Sequence, residues 1–124
     1  MKMQYFKYVI DGVPPSNNKY MGNSNSFREY GKEKEKWHWL IKGAIKHKPI
    51  KPLPQAIVSI TYFFKDSRRH DPDNYSGKFI LDPLVKEGII ADDSFKVIDL
   101  RIKQGGVDKN NPRTEIEVME LENI

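Results

Sequence analysis

Six segments of the chain carry a regular pattern of apolar and polar residues, which predicts four strands and two helices. Aromatic and β-branched residues predict strands at residues 4–10, 56–64, 95–103 and 114–121. Apolar residues at helical spacing predict a long amphipathic helix from residue 26 to residue 45, and a second helix at 76–87 that Gly88 closes. Pro83 is expected to kink or divide the second helix, because proline lacks an amide proton and clashes with the preceding turn.

The order β-α-β-α-β-β predicts a small α/β (α+β) fold, with two helices packed on one mixed sheet. The last two predicted strands follow each other closely and are expected to pair as a closing hairpin. A chain of 124 residues supports one hydrophobic core and leaves no room for a second domain. Residues 1–124 are therefore expected to form a single domain.

The chain has no cysteine, which excludes thiol catalysis, disulfides, iron–sulfur clusters and the usual structural zinc sites. Any metal must therefore bind through oxygen or histidine. The first ten residues lack an uninterrupted apolar stretch, so the pattern predicts neither a secretory signal nor a membrane span. We expect a cytoplasmic protein without a membrane partner.

The formal net charge of +4 is unevenly distributed along the chain. Eight basic and three acidic residues lie between Arg28 and Lys51, whereas residues 113–122 are net acidic. A basic helix face binds nucleic-acid phosphates through counterion release, and a solvated helix face is the alternative interpretation. On the same helix, Trp37 falls on the apolar stripe and predicts a core position, whereas Trp39 is a candidate for base stacking.

Two carboxylates in the loop after the second predicted strand carry the candidate chemistry. Asp71 precedes a proline and is therefore extended, so that Asp71 and Asp73 face the same way. Neighbouring carboxylates repel each other unless a cation lies between them, and an all-oxygen ligand set suits Mg²⁺ or Mn²⁺. A divalent metal beside the cationic Arg68 and Arg69 suits phosphodiester hydrolysis, because the metal activates water and the cations stabilise the transition-state charge.

The same loop also permits a purely structural interpretation. Asp73 or Asn74 would then cap the second helix, as both residue types commonly do. Lys78 and Asp82 are four residues apart, which is typical of an ion pair on a helix surface. His70 is expected in this interpretation to be a solvated loop residue.

The motifs resemble those of a known nuclease family. The pattern Asp71-x-Asp73-Asn74-(x)₃-Lys78-(x)₃-Asp82-x-Leu84-(x)₃-Gly88-(x)₃-Asp92-Asp93 is similar to the RusA family of Holliday-junction resolvases, which cut four-way DNA junctions. The loop Gly12-x-Pro14-Pro15-Ser16-x-Asn18 also resembles the N-terminal loop of that family. The resemblance spans residues 12–93, and the family's element order is similar to the order predicted above.

The resemblance implies a Mg²⁺-dependent endonuclease that holds one or two ions at each site, with Mn²⁺ as a substitute. Asp71, Asp73 and Asp93 would bind the metal, and Lys78 would assist catalysis. The candidate DNA-contacting residues are Asn18, Lys19, Arg68 and Arg69.

The chain departs from the family pattern before the candidate catalytic lysine. Three residues, rather than the usual two, separate Asn74 from Lys78. One added residue in a helix rotates the following side chain, here Lys78, by about 100° relative to the motif before it. The wider backbone freedom of Gly77 could instead accommodate the added residue without that rotation.

The added residue also leaves two choices for the third carboxylate. If the spacing of the family pattern is counted from Asp82, which follows the added residue, the third carboxylate is Asp93, and this is the choice that we prefer. If it is counted from Asp73, which precedes the added residue, the third carboxylate is Asp92. Only one is expected to join the site, because adjacent residues of an extended segment face opposite ways. A helix of about 18 Å followed by about 16 Å of extended chain barely returns to its start, so either a kink at Pro83 shortens the path or the carboxylate serves a partner's site.

The sequence therefore predicts an endonuclease that resolves branched DNA as a homodimer. A four-way junction has approximate two-fold symmetry, and paired nicks need two sites, whereas the chain has one carboxylate cluster. Two alternatives are a non-catalytic basic DNA-binding module and a metal nuclease that acts on flaps or RNA. In the first alternative, Asp92 and Asp93 are polar loop residues.

Overall fold

Two helices cover one face of a mixed four-stranded sheet, which confirms the predicted fold class and element order. The computed structural model describes residues 3–16, 26–68, 70, 75 and 77–121. The elements are β1 (Tyr5–Asp11), α1 (Ser26–Ala44), β2 (Ala56–Phe64), α2 (Lys78–Lys86), β3 (Ile98–Val107) and β4 (Arg113–Glu120). Pro83 lies inside α2 without dividing it. Neither helix has the length and apolar character needed to cross a membrane, as judged from the described ranges.

The strand order β1-β4-β2-β3 places β4 in the interior of the sheet. β4 pairs antiparallel with both β1 and β2, whereas β2 and β3 are parallel. The predicted closing hairpin is therefore wrong, because β2 lies between β3 and β4. The connection from β3 crosses the end of β2, where the Asp108 N–H donates to the Phe64 carbonyl at 2.7 Å. β4 therefore enters the sheet between β1 and β2 and pairs with both.

β3 begins three residues later and ends four residues later than predicted. Its start is delayed by a turn, in which the N–H groups of Val97 and Ile98 both donate to the Ser94 carbonyl at 3.0 Å. The two glycines that predicted a turn at residues 105 and 106 remain in the strand. A register shift opposite the end of β2 accommodates them.

The core lies between the sheet and the helices. Alternate residues of β2 and β4 face it, and their side chains are fully buried through the middle of both strands. α1 contributes Trp37 and Ile41, and α2 contributes Phe79, Ile80 and Leu84. The predicted core position of Trp37 is confirmed.

The two helices run side by side in the same direction. The rings of Tyr30 and Phe79 pack near the starts of the two helices, with centroids 5.2 Å apart. Further along, the His38 side chain of α1 meets the Glu87 side chain at the end of α2 at 2.7 Å. Asp82 pairs with Lys34 of α1 and with a lysine of its own helix. Its expected pair with the lysine at the start of α2 is therefore replaced by contacts that hold α2 against α1.

Burial and ion pairing act in opposite directions on Asp82. Burial raises the pKa of the carboxyl, but the hydrogen bond and charge of Lys86 and the charge of Lys34 outweigh it and lower the pKa. The carboxylate therefore stays ionised near neutral pH and keeps both pairs. The pair with Lys34 links α2 to α1.

Gly77 precedes α2 in a left-handed conformation, with φ of 88°, and acts as its N-cap. The predicted caps, Asp73 and Asn74, are therefore wrong, because the helix begins after Gly77. A Cβ atom at Gly77 would lie 3.0 Å from Cδ1 of Ile60 in β2. Glycine thus allows both the turn into the helix and its close approach to the sheet.

A Gly77→Ala variant is expected to lose about 1–2 kcal/mol of unfolding free energy, because alanine is strained at positive φ and its methyl group meets Ile60. Urea denaturation followed by circular dichroism measures the change. Gly31→Ala is the control: Gly31 lies inside α1 with no other atom near its missing Cβ, so alanine there is expected to leave stability equal or higher. An equal loss in both variants would contradict the argument.

Candidate active site

β1, β2 and β3 run in the same direction, so that their C-terminal ends meet at one edge of the sheet. We call this the C-terminal edge. The loops that follow β1 and β2 and the connection from β3 to β4 all lie there. The backbone joins them: the Gly12 N–H donates to the Pro112 carbonyl at 2.8 Å, and the Thr114 hydroxyl donates to the Gly12 carbonyl at 2.9 Å.

A cleft of about 340 Å³ opens between these loops. Residues 12–14 of the N-terminal loop form one wall, and Pro112 lies beside them. The opposite wall comes from the loop after β2 and includes Asp66, His70 and Tyr75. The fold thus brings the N-terminal loop motif next to the loop that contains the paired aspartates.

Three aromatic rings anchor the second loop to the end of β2. The His70 ring stacks on Phe64, with centroids 3.7 Å apart and an interplanar angle of 4°. Tyr75 packs edge-on against both rings, at 5.2 Å from Phe64 and 5.6 Å from His70. Asp71, Asp73 and Asn74 themselves lie outside the described residues, but the residues on either side of them are fixed at the C-terminal edge.

His70 is not the solvated residue that the structural interpretation expects. Its side chain is 14% exposed, and its Nε2 atom lies 3.6 Å from Oδ1 of Asp66. At that distance Nε2 is buried without a hydrogen bond to any described residue. The ring is held in place chiefly by its stacking on Phe64.

Asp66 organises the first turn of the loop. Its Oδ1 atom accepts the Arg68 N–H at 3.1 Å, and its Oδ2 atom lies 3.3 Å from Arg68 Nε. The Arg68 side chain is nonetheless 79% exposed, so the guanidinium group lies at the rim of the cleft. Burial first, and then the negative charge of Asp66, raises the pKa of Tyr75, which keeps the Tyr75 hydroxyl protonated at neutral pH.

Lys78 is the exposed first residue of α2. Within the described part of the chain it forms no ion pair, so its ammonium group is available for other contacts. Because the helix begins at Lys78, the three residues that separate it from Asn74 precede the helix. The added residue therefore does not rotate Lys78 relative to the rest of α2. Asn18, Lys19 and Arg69 lie outside the described residues.

Asp92 and Asp93 precede β3 and therefore lie at the opposite edge of the sheet. Both side chains are exposed. The start of β3 pairs with Ala56 and its end with Phe64, and these two residues of β2 are about 26 Å apart at roughly 3.3 Å per residue. Asp93 lines a pocket with Ile98 and Asp99 at the start of β3, whereas Tyr75 packs on Phe64 at the end of β2. Asp93 and Tyr75 of one chain therefore lie toward opposite ends of β2.

A model of the family described as endodeoxyribonuclease RusA matches residues 11–119 of the 124-residue chain. The chain belongs to the RusA family. No curated protein matches it. The RusA match includes both walls of the cleft, the candidate carboxylates and all of β4 except its last residue, and it confirms the resemblance that the motifs indicate. The chain is therefore an endodeoxyribonuclease by family.

The donor chemistry of the candidate RusA site fits a hard divalent cation. Carboxylate oxygens are the ligands that Mg²⁺ and Mn²⁺ prefer, and Asp92 and Asp93 have exposed oxygens. Among residues 3–16, 26–68, 70, 75 and 77–121, no three histidine, aspartate or glutamate side chains cluster closely enough to hold a metal. A metal site that includes Asp92 or Asp93 would therefore need further carboxylates from outside these ranges, for which Asp71 and Asp73 are the candidates.

Sequence reasoning missed three residues that shape the RusA cleft. Phe64, Asp66 and Tyr75 hold the loop in position, but each resembles an ordinary strand or loop residue in the sequence. The strand alternation does predict that Phe64 faces the core. The approach of Asp66 to His70 had no signal in the sequence, because a spacing of four residues brings side chains together only on a helix.

Proposed function

We propose that this RusA-family chain is a Mg²⁺-dependent endonuclease that resolves four-way DNA junctions by paired, symmetric nicks. The observation that carries the proposal is the cleft at the C-terminal edge. In this cleft, the N-terminal loop lies next to the residues that flank the paired aspartates. The match to the RusA family, over residues 11–119, includes both loops.

Three carboxylates are proposed to hold the metal. Asp71, Asp73 and Asp93 would bind one or two Mg²⁺ ions, for which Mn²⁺ substitutes, and Asp92 is the alternative to Asp93. When bound, the cation supplies an activated water and neutralises charge on the scissile phosphate. Packing of His70 and Tyr75 against the end of β2 would hold the segment that contains Asp71 and Asp73 in position.

Cationic and polar side chains around the cleft are proposed to position the DNA backbone. Lys78 is exposed at the start of α2 and would contact the phosphate or the leaving oxygen. Arg68 extends from the rim of the cleft and would bind a neighbouring phosphate, as would Arg69 and Lys19. Asn18 would donate a hydrogen bond from the N-terminal loop. Positive charge at these positions stabilises the transition state and orients the substrate.

We propose a homodimer in which each site takes its third carboxylate from the other chain. Asp93 lies at the edge of the sheet opposite Tyr75, so the partner's Asp93 is the one that would complete the site. Phe95, two residues further on, has a fully exposed aromatic ring. An apolar surface beside the carboxylate suits contact with a second chain. Two shared sites related by a two-fold axis also match the symmetry of a four-way junction.

Incubation of the purified chain with a labelled four-way junction and with a matched linear duplex tests the proposal. We expect symmetric nicks in two opposing junction arms with Mg²⁺ or Mn²⁺, none with EDTA, and little cutting of the duplex. Tight junction binding without cleavage under any of these metal conditions would favour the binding module instead. Preferred cutting of a flap or of RNA would retain the metal site but overturn the junction assignment.

A further inference from the structure

The face of α1 that points away from the core is strongly basic and carries an exposed tryptophan. At 100° per residue, the positions within about 60° of Trp39 on the helix surface form one continuous stripe. All of its residues are exposed, and only one is acidic. We call this stripe the outer face of α1, and its members are Arg28, Lys32, Glu35, Lys36, Trp39, Lys42 and Gly43.

Trp39 has no packing role in the core. Its side chain is 63% exposed, whereas Trp37, two residues earlier, is 3% exposed. The Lys42 Nζ atom lies over the Trp39 ring, 5.2 Å from its centroid. A large aromatic ring held among cations on the surface is suited to stacking on a nucleic-acid base.

The lysines of the outer face differ from Lys34 in having no ion-pair partner among the described residues. Lys34, on the side of α1 that meets α2, pairs with Asp82. Lys32, Lys36 and Lys42 form no ion pair with a carboxylate in the described residues. From Arg28 to Lys42 the stripe is about 21 Å long, which is comparable to six base pairs of duplex at 3.4 Å each.

We propose that the outer face of α1 binds one arm of the DNA substrate and that Trp39 stacks on a base exposed at the branch point. The inference deepens the proposed function, since it names a substrate contact outside the cleft. The basic side chains match the charge of the phosphates and contribute equally to duplex and junction binding. Bases inside a duplex are stacked on both faces, whereas an unstacked branch point offers a free base surface to Trp39.

Binding in EDTA separates this inference from catalysis. The variant that replaces Lys32, Lys36 and Lys42 by alanine is expected to bind junction and duplex at least about tenfold more weakly. The slope of the logarithm of the binding constant against the logarithm of salt concentration should be less steep by up to about 2.7. The matched control replaces three exposed lysines elsewhere, Lys51, Lys96 and Lys109, by alanine. Equal loss in the two triple variants would overturn the inference, even if the chain cleaves junctions as proposed.

Trp39→Ala is expected to weaken junction binding by about 5- to 100-fold while leaving duplex binding unchanged. In the unaltered chain, junction binding should quench the emission of Trp39, whereas Trp37 is shielded. A Trp39→Phe variant should retain binding and lose the quenching. Unchanged junction affinity in Trp39→Ala would overturn the stacking role. A fall in the molar mass of Trp39→Ala by light scattering would show instead that a second copy of the chain covers this face.

Discussion

An Asp73→Asn variant is expected to bind a four-way junction as tightly as the unaltered chain and to cleave it at least about a hundredfold more slowly. Loss of an outer partner of a metal site already costs 10- to 100-fold, and this change removes a negative charge from the proposed ligand set itself. Folding should be unaffected, because Gly77 rather than Asp73 caps α2. Single-turnover cleavage with Mg²⁺ and binding in EDTA measure the two effects.

Asp99→Asn is the matched control for this experiment. Asp99 lies in β3, is exposed, and pairs with Arg101 two residues away. The same change in charge there is expected to leave cleavage within about twofold, because an exposed ion pair contributes little. Cleavage by Asp73→Asn at the rate of the control would show that Asp73 is not a metal ligand.

Mixing Asp73→Asn chains with Asp93→Asn chains is expected to restore cleavage that neither variant shows alone. In a mixed dimer, Asp73 of one chain and Asp93 of the other are both intact at one shared site. Random exchange makes about half of the dimers mixed, and each has one active site. The restored activity should therefore produce single nicks rather than paired cuts, which native and denaturing gels distinguish.

A mixture of Asp71→Asn and Asp73→Asn chains provides the control. Both changes lie on the same side of the proposed shared site, so every dimer has a defect at both sites and should stay inactive. Failure of Asp73→Asn and Asp93→Asn to complement would mean that each chain builds its whole site. Repeating the mixture with Asp92→Asn determines which of the two adjacent aspartates is the ligand.

Local patterns predicted the helices and strands well, but they did not predict the strand order. The alternation in β2 gave its bounds at Ala56 and Phe64, and helical spacing placed the end of α1 within one residue. These patterns depend on neighbouring residues along the chain. Whether β4 pairs with β3 or with the distant β1 depends on how all four strands compete to bury their apolar faces. The sequence alone contains no direct signal of that competition.

The candidate site shows the same limit. The motif around Asp71 and Asp73 identified the family and the kind of chemistry, since residue type and spacing carry that information directly. The contact of His70 with Phe64 depends on where the loop returns to the sheet. The separation of Asp93 from Tyr75 likewise follows from the parallel pairing of β2 with β3. Tertiary structure supplies both relationships.

The interior position of β4 determines when the protein can fold during synthesis. Tyr5, at the start of β1, pairs with Met119, and Ala56, at the start of β2, pairs with Glu120. β1 and β2 are made early but have no strand between them until residues 113–120 leave the ribosome. Such distant pairings slow folding. A nascent chain that has only reached β3 therefore exposes unpaired strand edges, and chaperones that shield such edges should influence the yield of active nuclease.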